Sequence, residues 1–227
     1  MRMGWSFHGL VFLGCCLALP ASAEHRLGLV GGVNFADLDT NGDPNATALA
    51  RPAIGAVADI GLGEHLALRL EPTYLRKGGE LEPGANPLSN PGGKLLSSFL
   101  ELPVLLKLSV GEGLAPYLLV GPTIGLRLGA DLEMDVAGLT FSADMKDVTE
   151  AVELSVAFGA GVSFPVGPSS VFLECRYSVG LSNRIKGGRV TAEGPIPVYL
   201  DFDKAENEYK NKGLQILAGV TFQLGGS

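Results

Sequence analysis

Leu214-Gln215-Ile216-Leu217-Ala218-Gly219-Val220-Thr221-Phe222-Gln223-Leu224 repeats every second residue. Leu214, Ile216, Ala218, Val220, Phe222 and Leu224 fall on one face of an extended chain. Gln215, Leu217, Gly219, Thr221 and Gln223 fall on the other. A period of 2 is that of a β-strand, and an apolar face opposite a mixed one is the pattern of a strand with lipid on one side.

The same alternation recurs upstream, over residues 66–75, 99–108, 118–128, 152–164 and 171–181, with weaker versions at 27–36 and 53–62. That makes eight strands of about 10 to 13 residues, and about ten tilted residues cross a bilayer core. The connections alternate in length. Long ones cover 37–52, 77–97, 129–149 and 182–212. Short ones cover 63–65, 109–115 and 165–170 and carry Gly63, Gly111, Gly113, Pro165, Gly167 and Pro168. Four long loops and three short turns are what eight strands give when both termini are periplasmic. The expected fold is all-β, an eight-stranded antiparallel up-and-down transmembrane β-barrel.

Charge assigns the faces. Asp59, Arg69, Glu71, Glu101, Lys107, Arg127, Glu153, Glu174 and Arg176 lie inside strands, each on the more polar face. Arg or Lys on the lipid side near the midplane costs about 2–4 kcal/mol. These nine residues are therefore expected to face inward and to pair in a lumen charge network with a structural role. An eight-stranded barrel is just wide enough for its own side chains to fill it.

The N-terminus reads as a targeting segment. Arg2 precedes an apolar stretch at 10–19; Pro20 breaks it, and Ala21-Ser22-Ala23 fits a cleavage site before Glu24. The expected organisation is a signal peptide at 1–23 and an outer-membrane barrel domain at 24–227. A lipoprotein signal ending at Cys15 is disfavoured by Phe12 and by the short apolar stretch before it. Removal of 1–23 takes away Cys15 and Cys16. Cys175 then stands alone, without an internal disulfide.

Several strand motifs resemble the PorT-like outer-membrane β-barrel family. They are Gly28-Leu29-Val30-Gly31-Gly32-Val33-Asn34-Phe35, Leu68-Arg69-Leu70-Glu71-Pro72-Thr73-Tyr74-Leu75-Arg76-Lys77-Gly78, Leu100-Glu101-Leu102-Pro103-Val104-Leu105-Leu106-Lys107, Pro116-Tyr117-Leu118-Leu119-Val120-Gly121-Pro122 and Arg176-Tyr177-Ser178-Val179-Gly180-Leu181-Ser182-Asn183. The resemblance implies an eight-stranded barrel in the bacterial outer membrane and no defined activity. The chain departs from such barrels at its end, where Phe222 is followed by five further residues.

An enzyme is not expected. A Ser-His-acid triad needs a histidine within reach of its serine. Beyond residue 23 only His25 and His65 occur, one beside the cleavage site and one in a short turn. No cofactor is expected: Gly92-Gly93-Lys94 lacks the upstream glycine of a phosphate loop. Asp131, Glu133 and Asp135, and Asp201, Asp203, Glu206 and Glu208, form acidic loop clusters suited to divalent bridging toward lipopolysaccharide. Tyr74, Tyr117 and Tyr177 suit interfacial girdles. A net charge of −7 argues against nucleic acid.

The expected partners are outer-membrane lipid and, through the long loops, lipopolysaccharide or another envelope protein. The expected role is structural or loop-mediated, with a plugged lumen. Two alternatives remain at this point: a periplasmic or secreted lipocalin-like calyx with its apolar face turned inward around a ligand, and a narrow pore.

Overall fold

Alternating apolar residues on both ends of the chain meet in one ladder. In the computed structural model, His25–Asp39 (β1) pairs antiparallel with Lys210–Leu224 (β12), from His25 opposite Leu224 to Asp39 opposite Lys210. The structure describes residues 24–39, 46–81, 92–111, 113–136, 138–182, 186–195, 198–202 and 210–224. The expected signal peptide and the acidic residues Asp203, Glu206 and Glu208 lie outside these.

From β1 the sheet runs through Ala46–Gly61 (β2), then Leu66–Leu70 and Thr73–Leu81 (β3 and β4). It continues through Gly92–Ser109 (β5), Ala115–Val136 (β6), Val152–Val166 (β8) and Ser169–Gly180 (β9) to β12, which returns to β1. Each neighbour in this wall is antiparallel. The wall is therefore a closed meander, which is how strands cross a membrane with their backbone groups paired.

β3 and β4 together form one wall position, interrupted at Glu71 and Pro72. Proline has no N–H for the ladder, and pairing resumes around it: Ala56 N–H donates to Pro72 O at 3.0 Å, and Glu71 N–H to Pro103 O at 3.2 Å. A bulge at Ser98/Phe99 sets Arg127 opposite Phe99 and Gly129 opposite Ser98, leaving Leu128 extra.

Burial follows the charge assignment. Leu29, Ile54, Leu118, Leu173 and Phe222 on the outer face are half or more exposed, whereas Arg69 and Glu71 are fully buried inside. Leu214, Ile216 and Phe222 point outward as well. A calyx requires these residues around an internal ligand; the opposite orientation overturns that alternative.

The strands are longer than the alternation predicts. β6 spans 22 residues and β5 spans 18. The long loops at 77–97, 129–149 and 182–212 are correspondingly shorter, because the ladders continue past the apolar belt as ribbons. Leu139–Asp144 (β7) folds back on β6, and Gly188–Ala192 (β10) pairs with Val198–Phe202 (β11). The two hairpins meet through reciprocal backbone bonds between Ser142 and Glu193, at 2.9 and 2.7 Å. Between them Phe141, Met145, Val148, Val190 and Ala192 form a second hydrophobic core, separate from the lumen. Polar alternation alone reads such a segment as loop, since its apolar partners come from distant parts of the chain.

Candidate functional site: a charged plug across the lumen

Away from bulges, inward positions on a strand keep one parity, so charges separated by two residues stack above one another along the wall. On β3 and the residue after it, Arg69 and Glu71 share the lumen face; on β9, Glu174 and Arg176 do. β3 and β9 are opposite walls: β2, β1 and β12 separate them one way round, and β5, β6 and β8 the other. The network bridges this gap. Arg69 Nη1 donates to Glu174 at 2.8 Å, and Arg176 Nη2 donates to Glu71 at 2.9 Å.

Arg69 also holds Asp59 of β2 through both a 2.6 Å Nε bond and a 2.8 Å Nη2 bond. This two-pronged geometry matches the guanidinium fork to the carboxylate. Lys107 of β5 adds a third donor to Asp59 at 2.8 Å. Arg176 reaches Glu174 on its own strand through Nε at 2.8 Å and also through Nη2. Three cations thus face three carboxylates in the lower network. Glu71 Oε1 is the one carboxylate oxygen of this group buried without a hydrogen-bond partner.

Aromatic rings complete the cage. The Arg69 guanidinium stands 4.7 Å from the Phe172 ring and 5.4 Å from Tyr117, and the Lys107 ammonium 4.6 Å from Tyr117. For a cation largely removed from solvent such cation–ring contacts are worth up to about 2 kcal/mol. Tyr117 is 2% exposed, and its hydroxyl donates to Glu174 at 3.0 Å. It therefore belongs to the lumen and not to an interfacial girdle. Its odd number shares the inward parity of Leu119 and Thr123, which decides its face over any aromatic preference for the interface. Tyr117→Phe removes one hydrogen bond to a buried charge. The expected cost is about 1.5–3 kcal/mol, measured as a lower temperature of the heat-dependent gel-mobility shift.

A second cluster lies toward the long-loop end. Lys77 of β4 sits between Glu101 of β5 and Glu153 of β8, 2.5 Å from each, and 5.1 Å from the Phe99 ring. Asn211 of β12 donates to the other Glu153 oxygen. The alternation at 66–75 leaves Lys77 at the start of the expected long loop 77–97. Parity through 69, 71, 73, 75 and 77 is the signal that would have found it.

Arg127 stands apart from this network. It is half-buried, and it donates to the carbonyls of Glu150 and Lys146, both at 3.1 Å. It lies two residues beyond Gly125, which is level with Glu101 and Glu153, and there it fastens the 145–150 segment. In that segment the Lys146 N–H donates to Asp144 at 2.9 Å and holds its carboxyl below the usual carboxylate range. Of the nine predicted inward charges, the structure brings eight into the two clusters.

Beside these charges Leu75 and Phe99, at the level of the second cluster, and Leu105 and Leu217, opposite Arg69 and Glu174, are at most 1% exposed. The middle of the lumen is filled by side chains. His25 and His65 both lie at the short-turn end. Among the described residues no group of His, Cys, Asp or Glu is placed to hold a metal; Asp131, Glu133 and Asp135 are spread along the exposed face of β6.

Comparison with solved structures gives the same architecture. A major outer membrane protein from Thermus thermophilus superimposes with a TM-score of 0.55 at 12% identity, covering 88% of this chain and 99% of that one. At that identity the likeness concerns the fold. Outer membrane protein OprG from Pseudomonas aeruginosa aligns at 8% identity and a TM-score of 0.47, over 90% and 97% of the two chains. The attachment invasion locus protein Ail of Yersinia pestis aligns at 12% and 0.40, over 88% and 99%. No curated protein sequence matches the chain. The family described as outer membrane protein beta-barrel domain matches residues 21–186, most of the closed wall. With the apolar face outside, the charges inside and the wall closed, the chain belongs to the outer-membrane protein β-barrel domain family and resides in the bacterial outer membrane.

Proposed function

We propose that this barrel is a non-conducting envelope protein whose lumen network ties opposite walls together, while its outward ribbons present a firm surface to lipopolysaccharide or another envelope protein. One observation carries the reading: Arg69, Arg176, Glu71 and Glu174, all at most 2% exposed, bridge the barrel across its diameter. A lumen used for transport has little need of such a bar, and buried charges are tolerated only where they are paired. The second core under the hairpins supports the loop half of the proposal, since it gives the outward segments a fixed shape.

No catalytic role is part of this reading. Within the outer-membrane barrel family, the motifs at 68–78 and 100–107 support a place among the PorT-like members.

Reconstitution into planar lipid bilayers tests the plug. The expected result is no current above that of the bare membrane. A steady, ion-selective conductance would overturn the proposal in favour of a narrow pore.

A further inference from the structure

Inward positions near the periplasmic rim are small on strand after strand: Gly61, Ala67, Ser109, Ala115, Ser163 and Ser170. Two residues further along β3 and β9, the same face carries Arg69 and Phe172. An eight-stranded lumen is normally filled by its side chains. Here the step from small to large leaves a chamber of about 500 Å³ that begins among the periplasmic turns and ends on Asp59, Arg69, Lys107 and Phe172. The sequence makes this space with six different strands, and the plug described above does not use it.

The polar groups around the chamber are not equally available. Ser163 donates its hydroxyl to Ala115 O at 3.3 Å, Ser170 to Phe164 O at 3.2 Å and Thr221 to Ser170 O at 3.5 Å. Their hydrogens are committed to the wall. Both oxygens of Asp59 are occupied by Arg69 and Lys107. Lys107 differs: an ammonium has three donors, and its hydrogen bond to Asp59 and its contact with the Tyr117 ring leave a donor over. Arg26 lies on the same side, opposite Asp59 in the β1–β2 register, and uses one nitrogen on Glu24. Glu64 and His65 stand at the rim, in the turn. The unfilled hydrogen-bonding capacity at the chamber's end is therefore that of a cationic donor.

We propose that this chamber binds a small polar molecule through an oxyanion, a carboxylate or a phosphate, entering from the periplasm, with Lys107 as the principal contact and Arg26 as the second. The site is independent of the outward loops and of any partner they hold.

Titration of the full barrel in detergent micelles with inorganic phosphate, followed by backbone amide chemical shifts, tests it. Sodium chloride at matched ionic strength is the reference, and a parallel titration with acetate distinguishes phosphate from carboxylate. Saturable shifts confined to chamber residues such as Ala67, Ser109 and Ser163, with either anion, are the expected result. Ala67 lies directly opposite Lys107 in the β3–β5 register, so Ala67→Leu covers the ammonium without removing a charge and should abolish saturation. Lys107→Gln should weaken it at least tenfold; if that variant fails to fold, Ala67→Leu decides alone. Shifts that follow chloride, that never saturate, or that persist in Ala67→Leu would overturn the proposal and leave a water-filled vestibule.

Discussion

Replacing Arg176 with alanine should lower the temperature at which the folded barrel loses its compact gel mobility by on the order of 10 °C. Arg176 is 2% exposed and is the ion-pair partner of Glu71 and of Glu174 Oε1. Its removal leaves Glu71 with only the 4.0 Å approach of Arg69 Nη1. Breaking a buried pair from one side costs about 3–5 kcal/mol, most of it from the charge left behind. The same physics predicts a partial rescue. In Arg176→Met with Glu71→Gln the uncompensated carboxylate is gone and the volume is roughly kept, so part of the loss should return. An unchanged transition in Arg176→Ala would mean that the lumen network contributes nothing to holding the walls.

Gly32→Val should prevent the barrel from closing. Gly32 faces the lumen on β1, and the β12 backbone passes so near that an added Cβ would stand 2.0 Å from Ile216 O and 2.9 Å from Leu217 Cα. Backbone atoms of a paired strand cannot move aside without breaking the ladder that joins the two ends of the chain. Gly31, one residue earlier, is the control. Its nearest neighbour would be Ala53 O at 3.7 Å, an ordinary contact on the outer face. Gly31→Val should therefore fold and shift on heating like the unsubstituted barrel, while Gly32→Val should give only the unfolded band. Equal behaviour of the two variants would show that the β1–β12 seam tolerates displacement.

The two effects differ in where they act. Arg176 ties together walls whose backbone ladders close without it, so its loss weakens a barrel that still closes. Gly32 is a condition of the meeting itself. Neither contacts the core of the outward ribbons, Phe141, Met145, Val148 and Val190, which is a cluster apart from the lumen.

Strand number, meander order and the inside-outside assignment were determined by sequence alone. Each rests on a strictly local property: a side chain two residues on points the same way, and a charge cannot face lipid cheaply. Asp59, Arg69, Lys107, Glu153 and Arg176 could be placed inward for that reason. Parity also held the information for Tyr117, where the preference of tyrosine for girdles pointed elsewhere, and for Lys77, which the expected loop at 77–97 included.

Tertiary structure alone decided which charges meet. Arg69 and Glu174 are 105 residues apart, and their pairing follows from closure, which makes β3 and β9 opposite walls. Arg127 stays out of the network because it lies two residues beyond Gly125, the position level with Glu101 and Glu153, and that height is set only by the ladder register. The ribbons beyond the apolar belt, the second core and the chamber at the short-turn end were likewise invisible locally. Each is a relation among side chains on different strands, and only the closed wall fixes those relations in space.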